Sequence, residues 1–161
     1  IDRISAIIKA GIPVVGHIGL QPQSVLIDSG YKIKGKTAKG ALKIYQDAMA
    51  LEKAGVFALV LEGVPEEVAK IITQNIKIPT IGIGAGCFCD GQIQVFHDVV
   101  GLLGPNVPKH ANVFIDAQSA IMKGLKEYQL EVEQKQFPNQ SNAINMDQKE
   151  LNLLKQKIEN L

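Results

Sequence analysis

The stretch Val56-Phe57-Ala58-Leu59-Val60-Leu61-Glu62-Gly63-Val64-Pro65-Glu66-Glu67 decides how this chain folds. Its consecutive apolar residues form a short run with no polar face, which reads as a strand buried on both sides. Glu62-Gly63 ends the run. Pro65 then opens a helix: proline fits a first helical position, and Glu66 and Glu67 complement the positive end of the helix dipole. A buried strand passing straight into a helix is the repeating unit of a parallel α/β sheet.

The same alternation continues in both directions. Upstream, Ile12-Pro13-Val14-Val15-Gly16-His17-Ile18 reads as another buried strand. A Gly- and Lys-rich stretch from Gln21 to Gly35 follows it. Thr37 to Ala54 then places Ala41, Leu42, Tyr45, Ala48, Met49 and Leu51 at helical spacing, with Gly55 as the C-terminal cap. Downstream, the helix opened by Pro65 runs to Asn75. Ile78-Pro79-Thr80-Ile81-Gly82-Ile83-Gly84 and Gln92-Ile93-Gln94-Val95-Phe96 read as strands. Ala111 to Lys135 reads as a helix with a stripe of Ile115, Ala117, Ala120, Ile121, Leu125 and Tyr128. The order predicts a parallel sheet covered on both faces, and both a doubly wound sheet and part of a (β/α)8 barrel fit it. Gln134 to Gln148 reads as a linker broken by Pro138. Leu151, Leu154, Ile158 and Leu161 then form the stripe of an amphipathic tail helix.

Composition narrows the class. The chain has 161 residues, 46% of them hydrophobic, which supports a packed core rather than disorder. Lys+Arg 17 against Asp+Glu 16 gives a net charge of +1, which argues against a nucleic-acid partner. No long uncharged apolar run predicts a membrane span. Two cysteines build no disulfide scaffold and fit a reducing, cytoplasmic setting. There is no leader pattern, and the start at Ile1, inside a helical pattern, points to a fragment or a processed chain.

Ligands of parallel α/β folds sit at the carboxyl ends of the strands. Here the apolar runs end in Gly16-His17, in Glu62-Gly63, in Gly82-Ile83-Gly84-Ala85-Gly86 and in His97-Asp98, all expected on one face. Glu62 is the candidate general base: at the rim of an apolar core, burial raises a carboxylate's pKa toward the range such a base needs. The competing reading is a solvent-facing loop carboxylate or a cap for the Pro65 helix. His17 is the candidate hydrogen-bonding group for an anionic substrate or an enolate oxygen, against a satisfied core histidine. His97 and Asp98, adjacent in a strand, point to opposite faces and read as structural.

The glycines of 82–86 do not make a dinucleotide fingerprint. Position 87 is Cys87, and the segment leads into a strand rather than a helix. They read instead as a sharp turn close to a ligand. Cys87 and Cys89 lack metal-knuckle spacing and read as free thiols. Lys32, Lys34, Lys36, Lys39 and Lys43 read as a solvated cluster that can also draw an anion to the site.

Taken in order, several of these motifs resemble one family. Gly16-His17-Ile18-Gly19-Leu20-Gln21-Pro22-Gln23-Ser24, Gly30-Tyr31-Lys32-Ile33-Lys34-Gly35, Leu59-Val60-Leu61-Glu62-Gly63-Val64-Pro65 and Ile78 to Gly86, running on to Asp90-Gly91-Gln92-Ile93, are similar to ketopantoate hydroxymethyltransferases. The resemblance covers residues 4–138. It implies a (β/α)8 TIM barrel of the phosphoenolpyruvate/pyruvate type, of which this chain supplies strands 5–8. It also implies transfer of a hydroxymethyl group from 5,10-methylenetetrahydrofolate to 3-methyl-2-oxobutanoate, with Mg²⁺ or another divalent ion stabilising the enolate. On the matching positions it places Glu62 as catalytic base and His17 as a substrate-contacting residue. A homo-oligomer is implied as well.

The resemblance also marks what this sequence does not carry. The family's metal-ligand motifs, two aspartates and a glutamate, do not occur here, nor do its substrate-binding serine and lysine. A barrel of this type takes about 250 residues. The expectation is therefore residues 1–138 as the C-terminal half of a barrel, 139–161 as linker and tail helix, and an N-terminal half supplied elsewhere. This chain alone is expected to be inactive. Cys87-Phe88-Cys89 and His110 depart from the family pattern. The alternatives are a non-catalytic half-barrel that serves assembly, and another pyruvate-type barrel enzyme such as a lyase.

Overall fold

A computed structural model describes residues 1–21, 33–102, 104 and 107–160. Packing divides the chain into two compact units, Ile1–Ile115 and Asp116–Leu161. The sequence reading divides it at Pro138 instead, whereas the long helix before that proline groups with the C-terminal unit.

In the first unit, helix α1 (Asp2–Lys9) is followed by strand β1 (Val15–Gly19), helix α2 (Ala38–Ala54), strand β2 (Ala58–Glu62) and helix α3 (Glu66–Asn75). Strand β3 (Thr80–Ile83), strand β4 (Gly91–Gln92) and the short helix α4 (Phe96–Val99) complete it. The helix ends follow the sequence signals. The Thr37 hydroxyl accepts from Gly40 N at 3.2 Å to start α2, and Gly55 closes it in the left-handed region at φ 95°. The α2 stripe is displaced from the expected one: Ile44, Ala48 and Leu51 are buried, while Leu42 and Met49 are exposed. That i, i+4, i+7 spacing is the row that meets the sheet.

Among the described residues the sheet has four strands in the order β1-β2-β3-β4, all parallel. Consecutive strands lie side by side with no reversal of order, as in a barrel wall and unlike the switch point of a doubly wound sheet. Among the described residues of this unit, the expected helical covering is seen on one face of the sheet. Helices α2 and α3 touch one another and pack on the same side. Leu59 and Leu61, both 0% exposed, meet Ile72, Ala48, Ala69 and Val56 there in one core. Strand residues alternate between faces, so His17, Val60, Glu62, Ile81 and Ile83 lie on the side away from this core. All of them are part-exposed.

Two strand expectations change. Ile12 and Pro13 stay outside β1, because Gly11 turns at φ 83° and proline has no N–H to give the ladder. The expected strand Gln92–Phe96 shrinks to Gly91–Gln92. Beyond it, the Gln94 side chain is engaged with Asn112, and Phe96 begins α4. The β3–β4 link, residues 84–90, holds no helix. It is short for a parallel connection, and Asp90 fastens it. The Asp90 carboxylate accepts from Thr80 N at 2.8 Å and Thr80 Oγ1 at 3.0 Å, while Asp90 N donates to Thr80 Oγ1 at 3.2 Å.

In the second unit, helix α5 (Ala117–Glu133) begins later than the expected Ala111. Asp116 caps it by accepting from Ser119 N at 3.0 Å, and bonds from the Ser119 backbone and hydroxyl hold its carboxyl below the usual range. A 3-10 turn at Gln140–Asn142 and helix α6 (Gln148–Glu159) follow. Leu154 and Ile158 of the expected tail stripe are exposed, and Leu161 lies outside the described residues. Among the described residues no helix is long and apolar enough to cross a membrane.

Candidate active site

The carboxyl ends of β1, β2 and β3 lie in register, with Gly19 beside Glu62 and Glu62 beside Ile83. Leu20 N donates to Glu62 O at 2.7 Å, and Gly63 N donates to Ile83 O at 2.9 Å, so these ends are fastened edge to edge. Gly19 is needed for this approach. It sits at φ 93°, and a Cβ there would lie 2.2 Å from Glu62 O.

His17 and Glu62 point to the same face of adjacent strands and meet, with His17 Nε2 3.0 Å from Glu62 Oε2. His17 lies within β1 rather than after it, so strand alternation, not a loop, aims its ring. The side chains are 31% and 17% exposed. By distance the two groups are in contact. Yet Nε2 is buried and has no aligned hydrogen-bond partner among the described residues. Alignment decides here, because hydrogen bonds weaken steeply when bent. The pair is therefore in contact while Nε2 keeps an unused hydrogen-bonding direction.

Glu62 opens into a cavity of about 680 Å³. Leu20 and Ile33 give it an apolar side, and Gly63, Gly84 and Gly86 give it bare backbone. Cys87, Gln92, Lys109 and His110 supply its remaining polar groups. The glycine turn does serve close approach. Gly84 (φ 62°) carries the His110 ring, 3.0 Å from where a Cβ would sit. Gly86 (φ 76°) faces the Glu66 stem, 2.3 Å from its would-be Cβ.

Other sequence candidates fall elsewhere. His97 and Asp98 lie on α4, Asp98 being 5% exposed, and not at a strand end. The expected gathering of titratable groups at four strand ends thus reduces to His17 and Glu62. Cys87 and Cys89 are free thiols. Burial pushes the Cys89 thiol up, with the Asp90 charge adding to it and the Thr73 and Thr80 hydroxyls offsetting part. Lys43 is paired with Asp47 along α2. Pro22 to Lys32, which includes Pro22, Gln23 and Ser24 of the first family motif and Gly30, Tyr31 and Lys32 of the second, lies outside the described residues.

Sequence reasoning missed Lys109, Gln92 and the Thr80–Asp90 clamp. Periodicity marks none of them. The nearest signals are the Asp90-Gly91 turn pair and the proline before Lys109.

Comparison with known proteins places the chain in one family. The family model for ketopantoate hydroxymethyltransferase matches residues 1–140. A 3-methyl-2-oxobutanoate hydroxymethyltransferase of Dehalococcoides mccartyi (strain CBDB1) is 51% identical over 96% of this chain and 55% of its own length. The enzyme of the same name from Nitrosopumilus maritimus (strain SCM1) is 45% identical over 98% of this chain and 56% of its own. That from Thermoanaerobacter sp. (strain X514) is 48% identical over 91% and 54%. The match at 98% of the chain takes in most of the region after Pro138, beyond the expected limit of resemblance. The chain spans about half the length of the curated relatives it matches. With the family model covering most of its residues, this chain belongs to the ketopantoate hydroxymethyltransferase family.

Proposed function

We propose that Glu62 and His17 are the proton-handling pair of a hydroxymethyl transfer from 5,10-methylenetetrahydrofolate to 3-methyl-2-oxobutanoate, giving ketopantoate for pantothenate and coenzyme A. The observation that carries this reading is the His17–Glu62 contact at adjacent parallel strand ends, beside a half-open cavity. In this reading the four strands are the fifth to eighth of a (β/α)8 barrel. Residues outside this chain supply the first four, and the protein is a cytoplasmic homo-oligomer.

Mg²⁺ is part of the same reading, but its fit to this chain fails. Among the described residues no group of three or more His, Cys, Asp or Glu converges. His17 and Glu62 are only two donors, already in contact with each other. The described residues therefore do not make a site for the ion, and no step below passes through it.

The chain's own residues act on the acceptor. A Glu62 carboxylate oxygen takes the proton from the carbon next to the keto group, and the C–H electron pair becomes the enolate double bond. His17 Nε2 donates along its unused direction to the oxygen where negative charge develops. The enolate carbon then forms the new C–C bond to the methylene carbon as one of that carbon's two C–N bonds breaks, its electron pair passing to nitrogen. Water replaces the second nitrogen, giving the hydroxymethyl group and tetrahydrofolate. Leu20 and Ile33 keep that side of the cavity apolar, which strengthens both polar contacts.

The test is deuterium exchange at that carbon of 3-methyl-2-oxobutanoate in D₂O, followed by NMR with the full-length protein and no folate. Glu62→Gln should slow exchange by about 10²–10⁴-fold while acceptor binding persists. Near-wild-type exchange removes Glu62 from the role of base. The 161-residue chain, assayed alongside with both substrates and Mg²⁺, should make no ketopantoate. Robust turnover by it would overturn the assignment of essential groups to residues outside it.

A further inference from the structure

Lys109 and His110 line the same cavity as Glu62, and neither has a role in the proton transfer. Their presentation is built. Ala111 N donates to Pro108 O at 2.9 Å, so they occupy the two central positions of a turn. Gln94 holds the next residue by both ends of its amide: Asn112 N donates to Gln94 Oε1 at 2.9 Å, and Gln94 Nε2 donates to Asn112 O at 3.0 Å. Phe114 N donates to Val99 O at 2.9 Å, fixing the segment once more. The His110 ring rests on Gly84, which has no side chain to displace it. Among the described residues Lys109 has no carboxylate partner.

A cavity of about 680 Å³ is the size that takes a drug-sized ligand, well beyond a five-carbon keto acid. The surplus volume has room for the second substrate, and a cation in it with no carboxylate partner among the described residues selects for negative charge. We propose that the Lys109–His110 turn, positioned by Gln94, binds the anionic carboxylate tail of the one-carbon donor. This rests on the reading of the site given above. On that reading the donor ends in a glutamate with two carboxylates.

The experiment compares two donors in the full-length protein: 5,10-methylenetetrahydrofolate and the same pterin without its glutamate. Lys109→Gln should raise the KM for the glutamate-bearing donor about fivefold, the scale of one partly exposed charge pair. It should leave kcat, the acceptor KM and the KM for the glutamate-free donor unchanged. Lys109→Arg should restore the wild-type value. Gln94→Leu should give a smaller rise of the same kind, because it releases the turn without removing the charge. In the wild type, added salt should raise the KM of the glutamate-bearing donor only. This readout stands even if a variant folds poorly. Equal effects on both donors, or a rise in the acceptor KM instead, overturn the proposal. A wild-type protein that does not turn over the folate donor at all overturns the underlying function instead.

Discussion

Replacing Thr80 with valine tests whether the β3–β4 link is held by side chains rather than by the ladder. Thr80 is 0% exposed. Valine keeps the shape and removes the hydroxyl, which bonds Asp90 Oδ2 (3.0 Å), Asp90 N (3.2 Å) and Thr73 Oγ1 (2.9 Å). The bond from Thr80 N to Asp90 survives. A hydrogen bond to a charged group contributes about 1.5–3 kcal/mol and a neutral one about 0.5–1.5 kcal/mol. The three share one oxygen and do not add fully, and the part-buried Thr73 hydroxyl can turn to water. The expected loss is about 2–4 kcal/mol, or roughly 5–15 °C in melting temperature for a chain of this size. The assay is urea unfolding of Thr80→Val, Thr80→Ser, Asp90→Asn and the Val/Asn double variant. Thr80→Ser keeps the oxygen and should lose only about 0.8 kcal/mol with its methyl. A valine variant within about 0.5 kcal/mol of wild type, or full additivity in the cycle, refutes the clamp. The link carries Gly84, Gly86 and Cys87 into the cavity, so the same variant should also weaken substrate binding.

Three further outcomes follow from the site. His17→Gln in the full-length protein should lower kcat by about 10²–10³-fold, as for loss of one donor to a developing oxyanion. An effect confined to the acceptor KM would leave His17 a binding residue only. Gly19→Ala should destabilise the fold by about 1–3 kcal/mol and shift Glu62, since φ 93° and the 2.2 Å approach to Glu62 O leave no room for a methyl. Unfolding and activity measured together check this, and a stable, active variant would refute it. Iodoacetamide at about pH 8 should label Cys87 before Cys89 by peptide mapping, because the thiolate is the reactive form. Cys87 is exposed, whereas the raised pKa of Cys89 leaves it more fully protonated at that pH. Labelling in the reverse order would contradict that shift.

Much of the fold was legible in the chain. The apolar run ending at Leu61, the proline and acidic pair after it and the Gly55 cap mark their elements because each signal is local. The failures are where distant residues decide. Gln94 reads as a strand residue by alternation, yet its amide is taken by Asn112, and the strand stops at Gln92. The α2 stripe is only partly placed: Ala48, Leu51 and Tyr45 do meet the core, but Leu42 and Met49 are about as apolar as Ile44, and only the position of the sheet leaves them exposed while Ile44 is buried.

The sequence by itself determined the parallel α/β class, the family motifs and the two residues, His17 and Glu62, that carry the proposed chemistry. Period and residue type along one stretch of chain are enough for those. The tertiary structure alone decided that the strands run in sequential order with α2 and α3 on one side. It also decided that His17 and Glu62 touch on the side away from the core, and that Lys109 and His110 line the cavity into which Glu62 opens. Strand register and the packing of remote segments set those distances, and neither leaves a periodic mark in the chain.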